Sequence, residues 1–273
     1  MTLSGAARRL VAPGSSPLRD RVVLVTGASS GIGEQTAYAA ASRGATVLLV
    51  ARRAEELAVV RDRVLGDGGR AAAYPCDLTD GAEVDALAGR VLDEHGAVHH
   101  LVNNAGRSIR RSLADSGDRF HDVERTMAIN YFAPVRLTMA LLPTMRDQGF
   151  GHVVNVLSWG VQIKAPRFSA YLASKSALDT WGRVLAREAH GDNVRVTNMR
   201  FGLVRTPMVA PTKAYDRLPM MSAQAAGRAV ANVLEDRPAS WSHPVGTLGE
   251  AANLVAAPVM DRVMHGLDRL PRR

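Results

Sequence analysis

A single doubly wound α/β domain, with a parallel sheet and helices on both faces, is the fold this sequence predicts. Three observations predict it. From Arg21 onward, apolar runs of strand length alternate with helix-length segments, the pattern of right-handed βαβ crossovers. Several runs are continuous in Val and Leu rather than alternating, as in strands buried on both faces. A glycine-rich turn joins the first run to the first helical segment. With 273 residues and 47% apolar content, one such domain buries its core without staples.

In order, residues 1–19 hold Gly, Ser and two prolines without periodicity and read as a flexible arm. Strands are expected at 22–26, 45–51, 71–75, 98–103, 152–157 and 193–199. Helices are expected at 33–43, 54–65, 82–94, 119–146 and 169–190. Residues 202–221, with three prolines and adjacent methionines at 220 and 221, read as a lid of loop or short helices. Residues 222–236 form another helix and close the domain near residue 238. An extension over 239–273 has helical spacing over 248–270 and is expected to pack on the domain or on a second subunit.

Composition narrows the function classes. The one cysteine, Cys76, leaves no internal disulfide and suggests a reducing compartment. No apolar run reaches the roughly 18 residues of a membrane span. Arg8 and Arg9 precede only three apolar residues before Pro13, too few for a secretory leader. The reading is a soluble, cytoplasmic protein. The formal charge is +8, but the basic residues are scattered and no recognition motif accompanies them, so nucleic acid is not an expected partner. Peripheral contact with an anionic membrane, through the arginines at 262, 269, 272 and 273, is the alternative use of the tail. His95, His99 and His100 lack metal-site spacing, and no metal is expected.

The turn reads Thr26-Gly27-Ala28-Ser29-Ser30-Gly31-Ile32-Gly33. Glycines let the backbone approach a pyrophosphate held at a helix N-terminus, so a Rossmann-type dinucleotide site is expected there. The second strand ends at Ala51-Arg52-Arg53, where NAD sites usually carry a carboxylate. Arg52 instead suits a 2′-phosphate through forked, charge-assisted bonds. NADP(H) is therefore expected over NAD(H). Arg53 either assists or opens the next helix. Asp77, with Leu78 beside it, either meets the adenine or caps a helix that Thr79 or Asp80 could equally cap.

Tyr171 and Lys175 stand four residues apart in a helical segment, on one face. A nearby ammonium lowers a phenol's pKa toward proton transfer with a carbonyl oxygen. The pattern is common on surface helices, so context decides. Ser158 ends the strand before it. Asn130 lies mid-helix, where asparagine is unfavourable without a task. Asn104, Ala105 and Gly106 follow the fourth strand, at the carboxyl edge where such sheets bind ligands.

Together TGASSGIG (26–33), NNAG (103–106), IN (129–130), LS (157–158) and YLASK (171–175) resemble the short-chain dehydrogenase/reductase superfamily over about residues 20–237. The resemblance implies a catalytic tetrad of Asn130, Ser158, Tyr171 and Lys175. Tyr171 would be the acid/base, Ser158 would polarise the carbonyl and Lys175 would also hold the nicotinamide ribose. Asn130 would bind a water linked to Lys175. It further implies cofactor contacts from Asn104, Ala105, Gly106, Val204 and Thr206, and a homodimer or homotetramer. Phe201-Gly202 departs from the family's usual Pro-Gly. The stretches 168–179 and 203–216 are similar to the C-terminal reductase domain of bacterial fatty acyl-CoA reductases, which implies a hydrophobic, lipid-like aldehyde or ketone substrate. Oxidation of secondary alcohols by the same residues, or dinucleotide binding without catalysis, are the competing readings.

Overall fold

A computed structural model describes residues 16–212, 215 and 218–269. Its main sheet has seven parallel strands: β1 (Val22–Thr26), β2 (Thr46–Ala51), β3 (Arg70–Pro75), β4 (His100–Asn103), β5 (Gly151–Ser158), β6 (Val194–Phe201) and β7 (Ser240–Ser242), in the order β3-β2-β1-β4-β5-β6-β7. The chain leaves β1 toward β3, then returns to β4 on the other side of β1. That reversal opens a crevice between β1 and β4 at their carboxyl ends. Two apolar cores, one on each sheet face, close against α1 (Gly31–Ala41), α2 (Ala54–Gly66), α3 (Gly81–His95) and the later helices.

The six expected strands are found within a residue or two. The seventh, β7, has only Trp241 as a strand-forming signal and exists because Asn198–Arg200 on β6 offer a free edge. The flexible arm assigned to 1–19 is corrected at its end: Leu18 is fully buried in one core, and Arg21 hydrogen-bonds back to it. Residues 1–15 lie outside the described residues.

The long helix expected over 119–146 is three pieces: α4 (Phe120–Met127), a π turn (Ala128–Phe132) and α5 (Ala133–Asp147). In the π turn the Ala133 amide reaches back five residues to the Ala128 carbonyl. Such turns occur often at functional sites, and Asn130 sits inside this one. Past β5 a short helix, α6 (Gly160–Ile163), precedes α7 (Ser169–Glu188); α8 (Ala223–Asp236) packs on α1, where Gly227 meets the Gln35 backbone. The extension forms α9 (Pro244–Arg269), bent at Ala256. Its first half docks on α6 through Gly246, Gly249 and the Gln162–Glu250 hydrogen bond. Leu254 and Val255 beyond it are exposed.

One polar feature crosses the sheet. Asn103, Asn155 and Asn198 are in register on neighbouring strands, buried, and linked amide to amide at 3.0 Å from Asn103 to Asn155 and from Asn155 to Asn198. Gly182 on α7 has no Cβ that would strike them. At the opposite strand ends, His100 and His152 are buried with their rings 5.5 Å apart. Burial, helped by the nearby Arg237, holds His152 down to about 3 and His100 well below its usual value. The unfolded chain protonates both near 6.5, whereas the folded chain does so only far lower. Stability is therefore complete above about pH 6.5 and falls as pH drops from there toward 3, by roughly 1.4 kcal/mol per pH unit for each histidine. Denaturant titrations at pH 7 and pH 5 should show this loss, and it should shrink in His152→Gln.

Candidate active site

The crevice is a cleft of about 1090 Å³ at the carboxyl edge of the sheet. The β1–α1 turn forms its floor. Gly27 and Gly31 adopt positive φ of 65° and 61°. A Cβ on Gly27 would fall 2.8 Å from the Ala105 Cα, and one on Gly31 would fall 3.2 Å from Thr206. Gly33 does not line the cleft. It permits helix–strand packing, since its Cβ would sit 2.3 Å from the Gly27 carbonyl oxygen. Ser30 caps α1 without using its side chain on the helix amides, leaving them directed at the cleft with Ser29 and Ile32 alongside. A cradle that any Cβ would fill, at a helix N-terminus, fits a dinucleotide pyrophosphate.

At the end of the cleft by the tip of β2, Ala51 leaves room beside Arg52, whose side chain is 63% exposed and 3.8 Å from the Asp77 carboxylate. Arg53 lines the same end but is held by Glu56 at 2.9 Å and by the Ser29 hydroxyl. Asp77 accepts from the Thr79 amide and hydroxyl, and these bonds hold its carboxyl below the usual range. Asp80, not Asp77, caps α3. Leu78 is buried beside it. Asn104 lines the cleft, yet its side chain donates to the Thr26 and Gly27 carbonyls and so fastens the glycine turn to β4. Ala105, Gly106, Val204 and Thr206 line the walls.

At the other end, the Ser158 and Tyr171 hydroxyls share a hydrogen bond. Ser158 Oγ also accepts from the Gly160 amide at 3.1 Å. The surrounding protein desolvates the Tyr171 phenol and pushes it up to about 12, with Ser158 opposing and Tyr215 adding to the rise. The expectation that Lys175 lowers it is corrected. Lys175 is buried, its Nζ donates to the Val156 carbonyl at 2.9 Å, and burial brings it down to about 8. Asn130 has the side-chain task that its mid-helix position called for. Its amide donates to the Arg107 carbonyl and to Ser174, and its oxygen accepts from the Arg107 amide at 2.9 Å. The side chain is thus committed to the loop after β4.

Arg107, Phe168 and Tyr215 line the cleft without having been named from the sequence, although Phe168 and Tyr215 fall in the stretches 168–179 and 203–216; Ser174, inside YLASK, supports the site by accepting from the Asn130 amide. Phe201, in place of the family's usual proline, is buried against Trp241. Among the described residues no group of acidic, histidine and cysteine side chains could hold a metal, and no helix is long and apolar enough to cross a membrane.

A parallel doubly wound sheet with a glycine cradle at its switch point, and a serine–tyrosine pair beside a buried lysine, defines a dinucleotide-dependent oxidoreductase. Residues 21–217 match the short chain dehydrogenase family, and the chain belongs to it. A fatty acyl-CoA reductase of Mycobacterium tuberculosis is 47% identical over 222 residues, spanning 81% of this chain and 76% of that protein. A short-chain dehydrogenase structure from Streptomyces avermitilis superposes with a TM-score of 0.77 at 32% identity, covering 92% of this chain and 98% of that one. A metagenomic short-chain oxidoreductase in complex with NADP gives a TM-score of 0.72 at 30% identity, over 83% and 96% of the two chains.

Proposed function

We propose that the protein is an NADPH-dependent reductase of hydrophobic, lipid-like aldehydes or ketones. The observation that carries the reading is the Tyr171 phenol, lining the cleft and hydrogen-bonded to Ser158, and the direction follows the fatty acyl-CoA reductase relative. A protonated phenol is a proton donor, as carbonyl reduction requires. The Ser158 hydroxyl would donate to the same carbonyl oxygen, and Lys175, held at the Val156 carbonyl, would hold the nicotinamide ribose. Bound at the glycine cradle, the nicotinamide cofactor would supply the hydride. Asn130 acts in this reading by fixing the loop over the site.

The choice of NADP(H) rests on Arg52 and the absence of a carboxylate at the tip of β2, and the NADP complex of a structural neighbour supports it. Lipid-like substrates are supported by the fatty acyl-CoA reductase relative and by Met208, Val209 and Pro211 along the cleft. The reading includes self-association: Phe132 and Met139 are 59% and 60% exposed on one groove, as on a helix meeting a second copy. It also places the protein in a reducing compartment such as the cytoplasm, and leaves α9 for contact with a partner subunit or a membrane surface. NADPH consumption is expected to rise with aldehyde chain length from butanal to hexadecanal, at least about tenfold in kcat/KM, since each buried methylene adds roughly 0.8 kcal/mol. No dependence on chain length would overturn the lipid assignment.

A further inference from the structure

The amino-terminal edge of the sheet, opposite the cleft, carries a group of cations that the reaction does not use. Arg21 precedes β1, Phe150 precedes β5, Arg195 lies at the start of β6 and Arg237 follows α8. The Arg21 and Arg237 guanidinium groups both lie over the Phe150 ring, 4.5 and 4.1 Å from its centre. Arg237 is pinned in place. It donates to the Gly151 and Asn193 carbonyls at 2.8 and 2.7 Å, while its buried Nε has no partner among the described residues. The buried His100 ring lies 5.5 Å from Phe150, and its Nδ1 and that of the buried His152 lack partners too.

The acidic residues of this edge are engaged elsewhere. Asp20 pairs with Arg70 and Asp192 with Arg146, each at 2.7 Å, and Glu235 pairs with Arg43 at 2.9 Å. Among the described residues Arg21, Arg195 and Arg237 make no ion pair. The Arg195 guanidinium meets the His190 ring nitrogen at 2.7 Å, and that of Arg21 meets only the aromatic ring. Burial, with Arg195 and Arg21 adding to it, brings the Arg237 guanidinium down to about 10. Like charges gathered without a carboxylate repel one another, and an anion that joins them removes that cost.

The geometry points to an oxyanion site at this edge, where Arg21, Arg195 and Arg237 share the phosphate of a small phosphorylated molecule. Forked guanidinium donors match phosphate oxygens, and three cations suit a dianion better than a single carboxylate. Arg237, held by two backbone carbonyls, is the preorganised member, and the side chains of Arg21 and Arg195 hold no backbone group that binding would release. The site shares no residue with the cleft and stands apart from the reductase reading.

The test uses the full chain saturated with NADPH, so that the glycine cradle and Arg52 are filled, and titrates inorganic phosphate or succinate at constant ionic strength by calorimetry. Saturable phosphate binding is expected, with succinate at least about tenfold weaker. Arg21→Gln and Arg195→Gln should each weaken phosphate about tenfold, the loss typical of one charge-assisted bond. The NADPH constant and hexadecanal turnover should change less than about twofold in both variants. Absence of saturable phosphate binding would overturn the proposal, as would binding that both arginine variants leave unchanged or that Arg52→Asp removes. Succinate binding as tightly as phosphate would show a site that reads charge alone and overturn the phosphate assignment. If NADPH does not bind, the reductase reading fails, and phosphate binding that needs Arg21 and Arg195 but not Arg52 still supports the site.

Discussion

Tyr171→Phe is expected to lower carbonyl-reducing turnover by about 10²- to 10⁴-fold, the usual contribution of a positioned general acid, while NADPH binding changes less than about threefold. The ring stays and its packing against Phe168 stays; only the hydroxyl that meets Ser158 is lost. Stopped-flow measurement of hydride transfer, with NADPH affinity by fluorescence, separates the two effects. Retained turnover would remove the phenol from the chemistry. A pH profile sharpens the same point. Burial leaves the phenol protonated up to about 12, so its own ionisation should not appear between pH 6 and 10. Lys175 comes down to about 8, so kcat/KM for reduction should be level below that pH and fall above it as the lysine loses its charge. Lys175→Met should abolish the fall along with most of the activity.

Arg52→Asp is expected to reverse cofactor preference, weakening NADPH about 10- to 100-fold and tightening NADH modestly. The side chain stands 63% exposed at the tip of β2, and its ion pair with Asp77 at 3.8 Å is too long and too wet to hold much energy. Its guanidinium can therefore turn to a 2′-phosphate at little cost. The substitution puts a carboxylate where it would accept hydrogen bonds from a ribose diol and where it would repel a phosphate. Arg53 is a useful control, because Glu56 and Ser29 already engage it; Arg53→Ala should change the preference far less. Unchanged ratios of NADPH to NADH affinity in Arg52→Asp would reject the phosphate assignment.

Much of this protein was legible along the chain because its strongest signals are local. Continuous Val/Leu runs mark buried strands. Gly27, Gly31 and Gly33 stand where backbone meets backbone, and any side chain there collides within 2.3–3.2 Å. Tyr171 and Lys175 share a helix face by spacing alone. These features depend on neighbours a few residues away, so sequence suffices to find them. What escaped depends on distant partners. β7 is a strand only because β6 leaves an edge beside it. The π turn at Asn130 serves a loop 23 residues earlier in the chain.

The sequence by itself therefore determined the order of elements, the glycine cradle and the identities of the serine, tyrosine and lysine. Tertiary structure alone decided their chemical states: a phenol raised rather than lowered, an ammonium drawn to a backbone carbonyl, an asparagine spent on Arg107. Desolvation and hydrogen bonding are set by everything within a few ångströms in space, and proximity in space is what folding adds to the chain.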